Sequence, residues 1–212
     1  MPSENLRPYL QPGFFIDSDH PRVIEYAEQL TVGLNDPVQT AVKLYYAIRD
    51  GYRYNPYRIK RLPEDYKAST LLTRPISEGG HCIDKAGLLA ACARVKKIPS
   101  RMHFANVRNH IGIEKLQKIL GTDLLYYHGY AELYLGGKWL AVTPAFNQEL
   151  CRYLNVAPIE FDGTEDSIFQ EFDKSGNQFM EYVDDHGAFS EIPFEAMMAV
   201  WEKHYTGVVL EP

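Results

Sequence analysis

Apolar positions along the chain follow a helical period first and an alternating one later. Residues 19–30 (DHPRVIEYAEQL) put Val23, Ile24, Ala27 and Leu30 on one stripe, with Asp19 suited to cap the helix and Pro21 to its first turn. A second helix starts at Asn35-Asp36-Pro37 and runs to about Asp50, burying Val38, Ala41, Tyr45 and Ile48, with Gly51 as its terminator. Periodicity dissolves from Tyr52 to Gly80, a Pro-, Gly- and charge-rich approach to the next element. That stretch reads as solvated surface, or alternatively as a substrate groove lined by Tyr52, Tyr54, Tyr57 and Arg58, since aromatic and Arg side chains favour binding surfaces. Helical spacing returns at Cys82, Ile83, Ala86, Leu89, Ala90 and Ala93, a small-residue helix closed by Pro99.

Residues 100–108 (SRMHFANVR) alternate as a strand, and residues 112–120 suggest a short inserted helix that connects to the next one. The segment YYHGYAELYLGGKWLAVTPAFN is the clearest hairpin, because Gly136-Gly137 can supply the positive φ angles of a two-residue turn. If Leu135 faces Lys138, then Tyr134 pairs with Trp139, Glu132 with Ala141 and Tyr130 with Thr143. That register places His128, Tyr130, Glu132, Tyr134, Trp139, Ala141 and Thr143 on one face. Beyond Asn147 come IEFDG, a polar turn at 173–177, the run MEYVDDHGAF and an amphipathic helix from about Pro193 to Tyr205, which together read as more sheet and a covering helix. Asp184-Asp185-His186, between Val183 and Gly187, reads as a turn rather than an acid–base or ligand cluster.

The chain has 212 residues, 45% of them apolar, enough to bury a core as one domain spanning 1–212. A net charge of −6 gives nothing to attract nucleic acid. The N-terminal residues lack an apolar signal core, and no stretch approaches the roughly 18 apolar residues that would span a bilayer. A soluble, unexported protein without a membrane partner is therefore expected. Three cysteines, Cys82, Cys92 and Cys151, are too few and odd in number for a disulfide framework, which points to reduced thiols in a cytoplasm. No phosphate-binding Gly loop or short metal-ligand spacing occurs, so no cofactor or metal is expected, even though His81, Cys82, His103, His110 and His128 could be combined into a metal site on paper.

Cys82 sits at a helix start, where unpaired N–H groups and the helix dipole favour thiolate. The preceding Gly79-Gly80 lets a substrate approach the backbone closely, and the Cys82 N–H is a candidate oxyanion donor. The local pattern alone fits an inert buried cysteine equally well. Cys92 lies ten residues on, roughly 15 Å along the axis, too far for a disulfide, and reads as core. His128 opens a strand whose face carries polar Glu132 and Thr143, which makes it the candidate base. Thr143 is diagonal to it at about 7–8 Å in such pairs, and Asn147 shares the same parity; either could hold the imidazole.

Gly80-His-Cys-Ile-Asp-Lys-Ala-Gly-Leu-Leu-Ala, followed by Ile98-Pro99-Ser100-Arg101, resembles the nucleophile block of transglutaminase-like domains. His128-Gly-Tyr-Ala-Glu132 resembles that superfamily's H-x-W-x-E strand, with Tyr130 for Trp. Trp139-Leu-Ala-Val-Thr143-Pro144 resembles its W-x-x-x-D-P strand, with Thr143 in place of the catalytic Asp. The resemblance covers about residues 36–147. It implies the cysteine-proteinase-like α+β fold, in which a Cys-bearing helix packs on an antiparallel sheet that carries His. It further implies a cysteine hydrolase or acyltransferase working through an acyl-enzyme on a peptide, protein or small amide, with Cys82, His128 and either Thr143 or Asn147 as the catalytic set. Papain-type enzymes place Asn beside the His, so an uncharged third member is compatible with turnover. Hydrolysis is expected over crosslinking, and a binding domain whose triad decayed at Thr143 is the alternative.

Overall fold

The computed structural model describes residues 5–169 and 172–206. Helix α1 spans Pro21–Leu30 and α2 Pro37–Gly51, followed by the short α3, Ala68–Leu71. The long α4 covers Cys82–Val95; strand β1 (Ser100–Asn109), helix α5 (Glu114–Leu120), and strands β2 (Leu124–Leu135) and β3 (Lys138–Val142) come next. The chain ends in α6 (Gln148–Tyr153), β4 (Met180–Phe189) and α7 (Phe194–His204). The fold is α+β, with the strands forming one antiparallel sheet in the order β3-β2-β1-β4.

The first two helices start as the sequence reads, with one shift of cap. Asp36 Oδ1 accepts from Gln39 N at 2.8 Å and caps α2. At α1 the cap is His20, whose Nδ1 accepts from Arg22 N at 3.3 Å, so the helix opens directly at Pro21 and Asp19 is left one residue outside. The hairpin register is the one that Gly136-Gly137 imposes: Leu135 faces Lys138, Tyr134 faces Trp139 and Glu132 faces Ala141. The β2–β3 ladder ends at Val142, and Thr143 N donates instead to Ser167 O at 2.8 Å.

Helix α4 is the centre of the molecule. Every residue from Cys82 to Arg94 is buried, with α1, α2 and α3 around it and β1 and β2 across it. Its amphipathicity is weak because it faces protein on all sides, and each buried Ile or Leu on it contributes about 1.5–3 kcal/mol. Its two buried cations bind backbone carbonyls. Lys85 Nζ donates at 2.8 Å to Arg49 O, Tyr52 O and Ala145 O, which ties the end of α2, the segment after it and the turn after β3 to α4. Arg94 donates to Gln11 O, Ser100 O and Ser190 O.

The run containing Asp184-Asp185-His186 is strand β4 rather than a turn. Its pairing with β1 slips between Phe104 and Ala105 and again between Asn106 and Val107, and Gly187 takes a φ of +85°. An edge strand with irregular pairing carries charge readily, which is why its polar run imitates a turn in the sequence. Cys92 lies in the core and Cys151 is buried in α6; all three cysteines are unpaired. Among the described residues, no helix is long and apolar enough to cross a membrane.

Candidate active site

Cys82 is the first residue of α4, and β2 crosses in front of it at Gly129. A Cβ on Gly129 would lie 2.9 Å from Ile83 Cγ1 and 3.1 Å from Phe104 Cε1, so this close approach of strand to helix requires glycine. The next residue back on β2 is His128, and Cys82 and His128 line the same cavity, of about 20 Å³, with His81, Tyr54, Leu116 and Tyr205 among the other walls. That volume holds roughly one water. Gly129→Ala is expected to cost about 1–3 kcal/mol by overpacking and to lower any Cys82-dependent activity more than that loss of folded protein explains. Urea midpoints and specific activity measured side by side check this; an unchanged activity per folded molecule would contradict it.

Burial dominates the electrostatics. It pushes the Cys82 thiol up to about 12, although the N–H groups of Gly129, Ile83 and Cys82 itself partly oppose this. A helix N-terminus supplies only about 0.3–1 kcal/mol, less than tenfold in ionisation, so the thiolate expected from the helix start is outweighed in this closed form. Burial likewise pulls His128 down to about 3 and His81 to about 4. The resting pair is a neutral thiol beside neutral imidazoles.

These shifts have a stability consequence. Both folded-state values lie below the 6.5 of an unperturbed imidazole, so the unfolded chain binds more protons below pH 6.5. The contribution of these two groups is full above that pH and is lost as the pH drops toward 4, by roughly 1.4 kcal/mol per pH unit for each imidazole. Urea unfolding from pH 7 to 4.5 should therefore give a slope that His128→Gln reduces by about half; an identical slope in the variant would contradict it.

The ring at hydrogen-bonding distance from the Cys82 thiol is His81, whose Nδ1 lies 3.4 Å from Cys82 Sγ. His81 precedes α4 as its cap, with its N–H donating to Asp84 Oδ2 at 2.8 Å while Asp84 is held by Arg74. Its ring meets the edge of Trp201 on α7, and Trp201 Nε1 in turn donates to Tyr126 O at 2.8 Å. Tyr205 also bonds to Tyr126, so α7 seals this side of the site. His128 packs beside Phe169 at 5.3 Å between centroids, and its Nε2 is buried without a hydrogen-bond partner.

Neither Thr143 nor Asn147 lines the thiol cavity, and Asn147 lines a separate one that shares Tyr54 with it. Thr143 is buried, and its hydroxyl has no partner within hydrogen-bond distance; it faces the Tyr182 phenol, which is also unpartnered. Asn147 Oδ1 accepts from Tyr54 N at 3.2 Å, which ties down the segment over the cavity. Neither makes a hydrogen bond to His128. Glu132, on the same face, is engaged by Arg101 and by His103 Nδ1 at 2.8 Å, and His103 Nε2 reaches Asp185 at 2.6 Å. Of the groove residues read from the sequence, Tyr54 and Tyr57 line cavities at the site, whereas Tyr52 lies elsewhere and Arg58 pairs with Asp65. Helix α5 is more than a connector, since Leu116 and Leu120 wall the thiol cavity. Among the described residues, no group of three or more His, Cys, Asp or Glu side chains is placed to hold a metal ion.

His81, Trp201, Tyr205 and Phe169 are the site residues that sequence reasoning missed. Only His81 left a signal, by adjoining the candidate nucleophile.

Residues 24–144 match the family model described as the transglutaminase-like superfamily. A search of curated proteins gave no match. Among solved structures, the chain is similar to a protein from Cytophaga hutchinsonii proposed to be a cysteine protease, with 16% identity and a TM-score of 0.55, covering 91% of this chain and 49% of that one. The chain thus spans about half the length of that relative. It is also similar to a protein from Parabacteroides distasonis proposed to be a protease, with 16% identity and a TM-score of 0.39, over 61% of this chain and 26% of that one.

Proposed function

Because the chain belongs to the transglutaminase-like superfamily, we propose that it is a cysteine hydrolase or acyltransferase acting on a peptide, protein or small amide. Cys82 is the nucleophile and His128 the base. The observation that carries this reading is the shared cavity: a thiol at a helix start and an imidazole on the crossing strand face one enclosed space.

In the proposed reaction, Sγ attacks the amide carbon as its proton passes to His128. With both groups neutral at rest, proton transfer accompanies attack instead of preceding it. The oxyanion is received by the Cys82 N–H, which has no intrahelical acceptor in the first turn. Collapse expels the amine with the proton from His128 and leaves a thioester on Cys82, which water or an amine resolves. His81 Nδ1 steadies the thiol. His128 Nε2 and the Thr143 hydroxyl, both buried and unpartnered, form the proposed orienting pair once substrate is bound. Asn147 serves the site by fixing the Tyr54 segment. The unpaired thiols suit a reducing compartment such as the cytoplasm.

A second reading has its own observation. A sealed thiol and an imidazole with no acidic partner fit a binding domain that has lost turnover. Incubating a protein-derived peptide mixture in ¹⁸O-water separates the two. New carboxyl termini carrying ¹⁸O, formed by the wild type and not by Cys82→Ala, support hydrolysis; products formed only when an amine is added support acyl transfer; no product with either acceptor supports the binding domain.

A further inference from the structure

A second and larger cavity, of about 190 Å³, adjoins the thiol cavity. Tyr54, Pro56, Leu116, Leu125 and His128 line both, so the imidazole stands in the partition between them. Phe146, Phe169 and Met180, all buried, line the larger one, and Tyr57 and Tyr153, 45% and 85% exposed, stand where it meets solvent. Among the described residues that line it, no Lys, Arg, Asp or Glu is present, and the polar side chains are Asn109, the tyrosines and His128.

Size and chemistry narrow the occupant. An apolar cavity of about 150 Å³ takes up a benzene-sized molecule, whereas sites for whole small ligands run from roughly 300 Å³ upward. The space therefore fits one leucine- to phenylalanine-sized group. A carboxylate or ammonium buried in it would lose hydration with no opposite charge among the lining residues, the Lys115 ammonium over the Tyr57 ring standing at the solvent side. The shared His128 wall sets this space beside the one that holds the Cys82 thiol.

We infer that this cavity is the specificity pocket of the enzyme, and that it receives a large apolar side chain flanking the amide bond on which Cys82 acts. The inference rests on the hydrolase reading for the word specificity, whereas the binding itself does not. An apolar anchor placed here holds the adjacent carbonyl near Sγ. Small and acidic residues beside the scissile bond are disfavoured, the first for want of buried area and the second for uncompensated charge.

The test uses binding, so that it does not depend on turnover. Wild-type protein carrying ¹³C-methyl methionine is titrated with N-acetyl amides of phenylalanine, leucine, glycine and aspartate. Met180, at the pocket, is the reporter, and Met102 and Met197, which do not line it, are the controls. The phenylalanine and leucine amides should shift Met180 saturably, at concentrations roughly tenfold or more below those needed for the glycine and aspartate amides. Leu150→Lys, at a half-buried lining position, should narrow or invert the preference against aspartate. Equal response to all four amides, or movement of Met102 and Met197 with no saturable change at Met180, would overturn the pocket. Turnover of peptides despite that result would leave the hydrolase reading standing, and selective apolar binding without turnover would overturn the hydrolase reading alone.

Discussion

Replacing Cys82 with alanine is expected to bring amide hydrolysis to background, a loss on the order of 10⁶-fold in kcat when a nucleophile of this kind is removed. No other cysteine can stand in: Cys92 is buried ten residues along the same helix and Cys151 lies in α6. Alanine should be tolerated structurally, because α4 is already rich in small residues and the neighbouring cavity is about 20 Å³. Folding checked by circular dichroism beside peptide-hydrolysis rates makes the result interpretable. Retention of more than a few per cent of wild-type rate in folded Cys82→Ala protein would contradict the account.

Removing the base gives the second large effect. His128→Gln should lower kcat by about 10²–10⁴-fold, the range for loss of general acid–base catalysis. His81 is the necessary comparison, since its Nδ1 lies 3.4 Å from Sγ and its ring is buried too. In the account His81 steadies the thiol and does not carry the proton to the leaving amine, so His81→Gln should cost about tenfold or less, the weight of one side-chain hydrogen bond. The pH profile adds a readout that a purely structural role would not move. With His128 drawn down to about 3, the acid limb of kcat/KM in wild type should lie below pH 5 rather than near the 6.5 of a free imidazole. If His81→Gln is the crippling variant and His128→Gln the mild one, the roles are reversed.

Much of the scaffold was legible because it rests on local rules. Gly136-Gly137 sets the hairpin turn, and strict alternation then sets the register that puts Glu132 opposite Ala141. The helical spacing from Cys82 to Ala93 marks α4, and its lack of any polar stripe already implies burial on every side. Strand β4 was harder. Its Asp184-Asp185-His186 run looks like a turn until His103 and Asn106 on β1 supply partners from a distant part of the chain. No local pattern contains that information.

The site divides in the same way. Cys82 and His128 can be singled out from position and neighbours, since a helix start and a strand face are local features. The protonation state of their pair is not local, because it depends on how many layers cover them. Tyr54 with its loop, Leu116 and Leu120 of α5, and Tyr205 beyond α7 close the cavity, and that burial outweighs the helix dipole that the sequence advertises. Asn147 reads in the sequence as a candidate to hold the His128 ring, whereas its oxygen accepts from the Tyr54 backbone, 93 residues away.

The most direct test of the central claim is to catch the intermediate. Wild-type protein is mixed with a peptide amide bearing phenylalanine or leucine beside the scissile bond, quenched in acid within the turnover time, digested and read by mass spectrometry. The account predicts an acyl group on the Cys82 peptide, removed by hydroxylamine as a thioester is and absent from Cys82→Ala. Turnover with no acyl group on Cys82, or an acyl group found instead on Cys92 or Cys151, would contradict it.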